Sequence, residues 1–321
     1  MRIRIIAHMK DAKLNRPLSF GERERQCEEL FLSRGPFFHL CTPGEDTLIL
    51  FESGEDFSFA MNLIALVAHL TPDVRIITFE VMESHLHIVA EGAASSLKDA
   101  FGQIRRRLYR YYHSTGRVRD LDDFQPNIIP IEDLAFLRNS IAYVNRNGYL
   151  VHPEHTPFSY PWGANRFYFN PDAKLRNDRY YHDLTYDEKR RLFRSNSIEY
   201  PERHALVDGY VSPASFCDLE LGEGLFRNAR HYFSLVSRSV EGYQDIAKLL
   251  GDQFFCTDDE LFIIVRQISK DKYGSSRLDT LPPESKRALT KTMYFDYKAS
   301  VQQIHRMLRV PESDIRLLLG K

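Results

Sequence analysis

The sequence predicts an α+β fold, with a sheet and helices in the amino-terminal half and an all-α carboxy-terminal region. Three observations support this prediction. Short runs of β-branched and aromatic residues alternate with amphipathic stretches up to residue 148, the turn sequence "PGED" separates the first two runs, and charged sequence with helical periodicity follows residue 170. At 321 residues the chain is long enough for about two or three domains.

The elements of the first half follow from these patterns. "PFFHLCT" (36–42) and "TLILF" (47–51) are predicted to form a hairpin across the turn. Apolar residues recur at helical spacing after an acidic first turn in residues 55–70, so we expect a helix there. The other expected elements are strands at 74–82, 85–92 and 124–131 and helices at 94–114 and 132–147, the last ending at Gly148.

Composition limits the classes of function. The formal net charge is −1, so any binding of nucleic acid has to come from a local basic patch. Four widely spaced cysteines form no CxxC pair, which suits reduced thiols in a cytosolic protein. The longest apolar run is interrupted by Asn62 and His69 and is too short to span a membrane, and the amino terminus lacks a signal sequence. We therefore expect a cytoplasmic protein with no membrane partner.

Changes in composition divide the chain into four parts. A segment rich in proline and aromatic residues precedes the loss of the β pattern, so we place a boundary near Asn170 and a weaker one near Asp258. The predicted parts are an amino-terminal extension (1–35), an α+β domain (36–170), a helical domain of unknown role (171–257) and a carboxy-terminal domain (258–321).

The stretch "VMESHLHIVAEG" places two histidines one residue apart in a predicted strand. Residues i and i+2 of a strand point to one face, so His85 and His87 lie side by side. Two neutral imidazoles aimed at one point form half of a divalent metal site. Alone, the pattern also fits ordinary polar residues on a half-exposed sheet face.

The order of elements around "MESHLH" resembles that of the HUH single-tyrosine transposases, and the downstream stretch from "LYRYYH" to "YPW" is most similar to their REP-associated branch. The resemblance covers residues 36–170. It implies a ferredoxin-like antiparallel sheet on which two histidines and one amide hold Mg²⁺ or Mn²⁺. It further implies that a tyrosine attacks single-stranded or hairpin DNA and forms a 5′-phosphotyrosine. Glu83 and Ser84 depart from the Pro-Asp or Pro-Asn that usually precedes the first histidine of the family.

The resemblance also assigns the nucleophile and the third metal ligand. The family places its tyrosine four residues ahead of the amide ligand on the last helix, and "SIAYVNRNG" offers Tyr143 and Asn147 at this spacing. Gly148 follows Asn147 at once, which implies a short deletion relative to the family. Tyr143 also has the spacing of an ordinary core residue, so a catalytically inactive descendant stays open as an alternative.

A local excess of arginine lies in the predicted helix at 94–114 and just after it. Arginine neutralises phosphates and tyrosine stacks on unpaired bases, so this segment is a candidate surface for single-stranded or hairpin DNA. The alternative is a solvated helix face with inward-packed tyrosines. The expected DNA contacts are Arg106, Arg107, Tyr109, Arg110, Tyr111 and Arg117.

The carboxy-terminal segment has the pattern of two short helices at a helix-turn-helix angle. Ser300 is a predicted cap for "VQQIHRML", the "RVPESD" turn follows, and "IRLLLG" forms the last helix. The segment resembles the helix-turn-helix end of the bacterial replication initiator DnaA. Ser313 and Arg316 would then face duplex DNA, which adds an expected location at the nucleoid.

Three functions stay open at this point. The first is a metal-dependent single-strand DNA endonuclease and strand transferase, and the second is a domesticated DNA-binding regulator that does not cleave. The third is a nuclease that uses water instead of tyrosine. Because families of this kind often act as dimers, a homodimer is a further expectation.

Overall fold

The structure is a computed structural model that describes residues 18–42, 49–117, 119, 121–122, 124–151, 155–156, 158–196, 199–237 and 258–320. Helices and strands alternate through the first half, as the sequence predicts. In chain order these elements are α1 (Phe20–Leu32), β1 (Phe37–Cys41), α2 (Gly54–Leu70), β2 (Arg75–Val81), β3 (Leu86–Glu91), α3 (Ala94–Ser114), β4 (Asn127–Ile131) and α4 (Leu134–Val151).

The four strands form one antiparallel sheet in the order β2-β3-β1-β4. From β1 to β4 the elements follow the order β-α-β-β-α-β, which is the split arrangement called ferredoxin-like. The predicted α+β class is confirmed. Its helices lie on both faces of the sheet, with α2 and α3 on one face and α4 on the other.

The predicted hairpin between 36–42 and 47–51 is wrong. β1 pairs with β3 and β4, and residues 49–52 have no regular secondary structure. The backbone N–H groups of Leu50 and Phe51 both donate to the carbonyl of Glu83, at 2.8 and 2.9 Å, so this segment bonds to the turn between β2 and β3. The turn sequence itself falls within 43–48, outside the described residues.

The two faces of the sheet differ in polarity. Leu40 and Ile88 face α2 and α3 across an apolar space, whereas the alternate residues of the same strands face α4. That second face is polar, since the Thr78 hydroxyl donates to the Asn145 side chain at 2.5 Å. The polar face lies under a helix and not in solvent.

Helix α4 runs past the glycine at which we predicted its end. Gly148 lies inside the helix, and the ring of Tyr160 packs against it in the space that a Cβ atom would occupy, which explains why the position has no side chain. The Tyr160 hydroxyl donates to the carbonyl of Val81 at 2.8 Å, which fixes the ring. Asn147 is therefore a mid-helix residue and not a terminal one.

The prediction of an all-α region after residue 170 is also wrong. A three-stranded sheet of very short strands, in the order β5-β6-β7, joins the helices there. Asp208 and Gly209 both have positive φ between β6 and β7, as a two-residue hairpin turn requires. The elements are α5 (Pro171–Leu175), β5 (Arg179–Tyr180), α6 (Tyr186–Phe193), β6 (Ala205–Val207), β7 (Tyr210–Val211), α7 (Leu219–Gly224) and α8 (Ala229–Val236).

One hydrophobic core contains residues from both sides of the boundary predicted near Asn170. It includes Cys27 of the predicted extension, the first sheet, and Tyr232 and Val236 of α8. Glu24 on α1 accepts from Arg138 on α4 at 2.6 Å, which ties α1 to the sheet region. The division into separate domains stays a prediction.

The last described segment has its own hydrophobic core. It consists of α9 (Asp258–Tyr273), α10 (Pro283–Phe295), α11 (Val301–Leu308) and α12 (Glu312–Leu319). The Ser300 side chain caps α11 as predicted, and Ile304, Leu308 and Ile315 are buried between the helices. Within the described residues, no helix is long and apolar enough to cross a bilayer.

Candidate functional site

The two histidines of "MESHLH" lie together at the start of β3. His85 directly precedes the strand and His87 is its second residue, and the centroids of the two imidazole rings are 5.0 Å apart. His87 is fully buried, and His85 is 7% exposed. The pair therefore lies at the edge of the space under α4, with His85 nearest to solvent.

A third histidine, which we did not predict, completes this cluster. His39 lies on the neighbouring strand β1, and its Nε2 is 3.2 Å from Nδ1 of His87. Cys41 pairs with His87 in register and places its Sγ 4.0 Å from Nε2 of His87. We missed both residues because we paired β1 with residues 47–51. A histidine inside the apolar run "PFFHLCT" was the available signal.

Helix α4 brings Asn147 and Tyr143 onto the histidine cluster. The Asn147 amide nitrogen is 3.2 Å from Nε2 of His87, and the Tyr143 ring centroid is 5.7 Å from that of His87. The spacing of four residues places the two side chains one helical turn apart on one face. Tyr143 is only 1% exposed, so its ring is enclosed in this conformation.

Glu80 holds the backbone of α4 beside Asn147. It lies opposite His87 in the pairing of β2 with β3, and its Oε2 accepts the backbone N–H of Gly148 at 3.0 Å. Burial raises the pKa of Glu80 well above its ordinary value, although hydrogen bonds from the Gly148 and Asn147 backbone lower it in part. A lone carboxyl in the apolar strand "RIITFEV" was a signal that we did not use.

The donor types of this cluster fit a divalent cation. Nδ1 of His87 is directed to His39, so Nε2 is the ring nitrogen that faces Asn147. A histidine ligand is usually oriented in this way by a partner on its other nitrogen. A half-turn of the Asn147 carboxamide would present its oxygen to the same point. Imidazole with an amide oxygen suits a divalent metal ion.

Carboxylates and thiols of the described residues do not form a metal site of their own here. Within the described part of the chain, no group of three or more His, Cys, Asp or Glu side chains is arranged to hold a metal ion. Glu83, which shares the strand face of the histidines in the sequence, is exposed. A cation here would therefore depend on His85, His87, Asn147 and oxygen atoms from solvent or a phosphate.

The basic helix divides into an exposed and a buried set. Arg106, Tyr109 and Arg110 are exposed on α3, and Arg107 is half-buried beside them. Burial lowers the pKa of Arg107, and the charges of Arg110 and Arg106 lower it further, so the three guanidinium groups form one cationic cluster. This surface suits a polyanion.

Tyr111 and Arg117 do not belong to that surface. The Tyr111 ring is 2% exposed and stacks on Phe59 at 4.1 Å, while its hydroxyl donates to Asp56 at 2.6 Å. Arg117 donates to both carboxylate oxygens of Asp56, at 2.9 and 2.6 Å. We therefore revise the assignment of Tyr111, which is buried. Arg117, whose side chain is 29% exposed, is bound to Asp56 at the start of α2 and is not part of the exposed cluster on α3.

The end of α3 and the histidine cluster lie at the same end of the sheet. The Tyr112 hydroxyl donates to the Leu50 carbonyl at 2.6 Å, and the Leu50 N–H donates to Glu83, two residues before His85. Tyr109 is 57% exposed near this end of α3.

The carboxy-terminal candidates are also on the surface. Ser313 and Arg316 are exposed on α12, and Arg316 pairs with Glu312 at 3.6 Å. They lie outside the core that contains the histidine cluster.

Comparison with known proteins leaves the family undecided. No protein-family model matches the chain, and neither the curated proteins nor the solved structures gave a significant match. Functional inference therefore depends on the site itself.

Proposed function

We propose that the chain is a metal-dependent single-strand DNA endonuclease and strand transferase of the HUH tyrosine type, a transposase. Mg²⁺ or Mn²⁺ would be held by His85, His87 and Asn147, and Tyr143 would be the nucleophile. The observation that supports this most is the convergence of these side chains from β3 and α4, with His87 3.2 Å from Asn147 and 5.7 Å between the Tyr143 and His87 rings.

The chemistry requires few groups. The Tyr143 oxygen attacks phosphorus and loses its proton to solvent, and the bond from phosphorus to the 3′ oxygen breaks. The 3′ oxygen takes up a proton and leaves as a hydroxyl, and a 5′-phosphotyrosine remains. A bound cation would neutralise charge that develops on the phosphate oxygens. His39 orients His87, and Glu80 holds the helix backbone at Asn147. A covalent link conserves the phosphoester bond energy for strand transfer.

We propose that the exposed part of α3 binds single-stranded or hairpin DNA through Arg106, Arg107, Tyr109 and Arg110. Exposed guanidinium groups and an exposed ring provide phosphate contacts and a stacking face. The carboxy-terminal helices would bind duplex DNA through Ser313 and Arg316. These partners imply a cytoplasmic protein at the nucleoid, and a homodimer is part of the same proposal.

The second candidate function is a DNA-binding regulator that does not cleave. The burial of Tyr143 favours it, because a nucleophile that is 1% exposed has to be uncovered before it can reach a phosphate. Glu83 and Ser84, which depart from the family motif ahead of His85, favour it as well.

The deciding experiment incubates the purified protein with labelled hairpin-containing single-stranded DNA and Mn²⁺ and looks for a covalent adduct on a denaturing gel. We expect an adduct that is lost in Tyr143→Phe and in His85→Ala. Tyr168→Phe is the matched control, because Tyr168 is equally buried at 1% but donates to the Ile77 carbonyl away from the cluster.

The other outcomes of this experiment contradict the nucleophile or support a different function. An adduct that persists in Tyr143→Phe contradicts the assigned nucleophile. Retarded migration on a native gel without cleavage supports the regulator, and cleavage without an adduct supports a nuclease that uses water.

A further inference from the structure

A cavity of about 340 Å³ lies on the side of α2 away from the sheet, between α2, α6 and β6. It is separate from the histidine cluster, which lies under α4 on the opposite face of the sheet. The cavity wall is mainly apolar, formed by the side chains of Phe59, Leu184, Leu192 and Leu206. A pocket of this size and lining is typical of a site for a small ligand.

Asn62 supplies a buried polar group to this cavity. It is 3% exposed, and its side-chain oxygen accepts the backbone N–H of Val211 at 2.8 Å. Since the oxygen has to face that donor, the NH₂ group points the other way, toward the cavity. No described residue accepts a hydrogen bond from this NH₂ group. An acceptor atom of a ligand in the cavity would be able to receive this N–H group.

The mouth of the cavity carries a cation that has no carboxylate partner among the described residues. Arg179 pairs with Glu188 at 2.7 Å, and Arg194 pairs with Glu55. Arg191 lines the same mouth, and its only hydrogen bond among the described residues runs from Nε to the Asp187 carbonyl at 3.3 Å. Its remaining N–H donors are free to bind an anionic group.

We propose that this cavity binds a nucleotide. The heterocycle lies between the apolar walls, an acceptor on its ring receives the Asn62 NH₂ group, and the phosphate binds Arg191. Two ligands have this chemistry, a free nucleotide and one nucleotide of a bound DNA strand. Only the second ligand rests on the proposed function.

The test uses the full-length protein in EDTA, without DNA, and titrates dAMP, dCMP, dGMP, dTMP and inorganic phosphate by calorimetry. We expect at least one nucleotide to bind more tightly than phosphate. Ser58→Trp fills the cavity from α2 and should abolish this binding, while Ser95→Trp, on the exposed first turn of α3, should not. Asn62→Asp keeps the acceptor for Val211 and replaces the donor, so it should weaken binding about tenfold.

Retention of hairpin DNA on a native gel separates the two ligands. Weaker retention by Ser58→Trp identifies a nucleotide of the bound strand, whether or not the free nucleotides bind. Unchanged retention together with nucleotide binding identifies a free ligand. The proposal is overturned if no nucleotide binds and Ser58→Trp retains DNA normally, or if Ser58→Trp binds nucleotides as the wild type does. Neither result depends on whether a covalent adduct forms with Tyr143.

Discussion

Replacing Glu80 with glutamine should change how the stability of the protein depends on pH. Burial raises the pKa of Glu80 well above its ordinary value of 4.5 in the folded chain. Above that value the unfolded chain has released a proton that the folded chain keeps. The contribution of Glu80 to stability is therefore fully present below the unfolded pKa and is lost as the pH rises toward the folded pKa.

The size of this pH dependence is limited because Glu80 releases a single proton. The contribution of Glu80 to the free energy of unfolding should fall by at most about 1.4 kcal/mol per pH unit through this range. Glu80→Gln has no proton to lose and keeps one side-chain oxygen for the N–H of Gly148. The variant should therefore lack this slope and gain stability over the wild type with each step toward alkaline pH.

Urea unfolding in EDTA, from about pH 5 to about pH 8, measures this difference. Trp162 is the only tryptophan and reports on the right region, because it stacks on Phe57 at 5.1 Å and its carbonyl accepts the N–H of Val81. Glu83→Gln, at an exposed site, is the control and should follow the wild type. A constant difference between Glu80→Gln and the wild type across this range would refute the reasoning.

Three further predictions concern packing, an ion pair and DNA. Gly148→Ala forces a methyl group into the ring of Tyr160 and should cost about 1–3 kcal/mol in urea unfolding; an unchanged midpoint would show that the ring can move. Arg117→Ala leaves the buried Asp56 carboxylate without its counter-charge and should cost about 3 kcal/mol at neutral pH. Burial alone would raise the pKa of Asp56, but bonds from Arg117 and Tyr111 outweigh it and hold that pKa low, so the cost should shrink as the pH falls below about 3.8. Arg110→Gln should weaken hairpin binding and reduce its logarithmic salt dependence by about 0.7 per lost phosphate contact; an unchanged slope would place the DNA elsewhere.

Local sequence patterns predicted most of the fold. Helices α2 and α3 and strands β2 and β3 follow from the periodicity of apolar residues, which depends on neighbouring residues. The partner of β1 depends on contacts with residues about fifty and ninety positions away, which no local pattern records. The hairpin of β6 and β7 is different, because Asp208 and Gly209 are a recognisable turn signal that the short flanking strands obscured.

The site was predicted only in part, because local spacing brings some of its residues together and long-range strand pairing brings the others. His85 and His87 share a strand face by spacing alone, and Tyr143 and Asn147 share a helix face. His39 and Glu80 join them through strand pairing, so a polar residue inside each apolar run was a signal, but local spacing did not show which residues it would meet. Tyr111 is a residue type that can stack on bases. Its ring packs against Phe59, however, so it lies on the buried side of α3.

The order of strands in the sheet has a consequence for synthesis of the chain on the ribosome. β1 lies inside the sheet, yet both strands that pair with it, β3 and β4, are made later. A nascent chain whose part outside the ribosomal exit tunnel ends between residues 91 and 127 has β3 but lacks β4, which leaves the other side of β1 unpaired. Such an exposed edge recruits strands from other chains. Truncated products ending in this interval should aggregate, whereas those that include β4 have that edge of β1 paired.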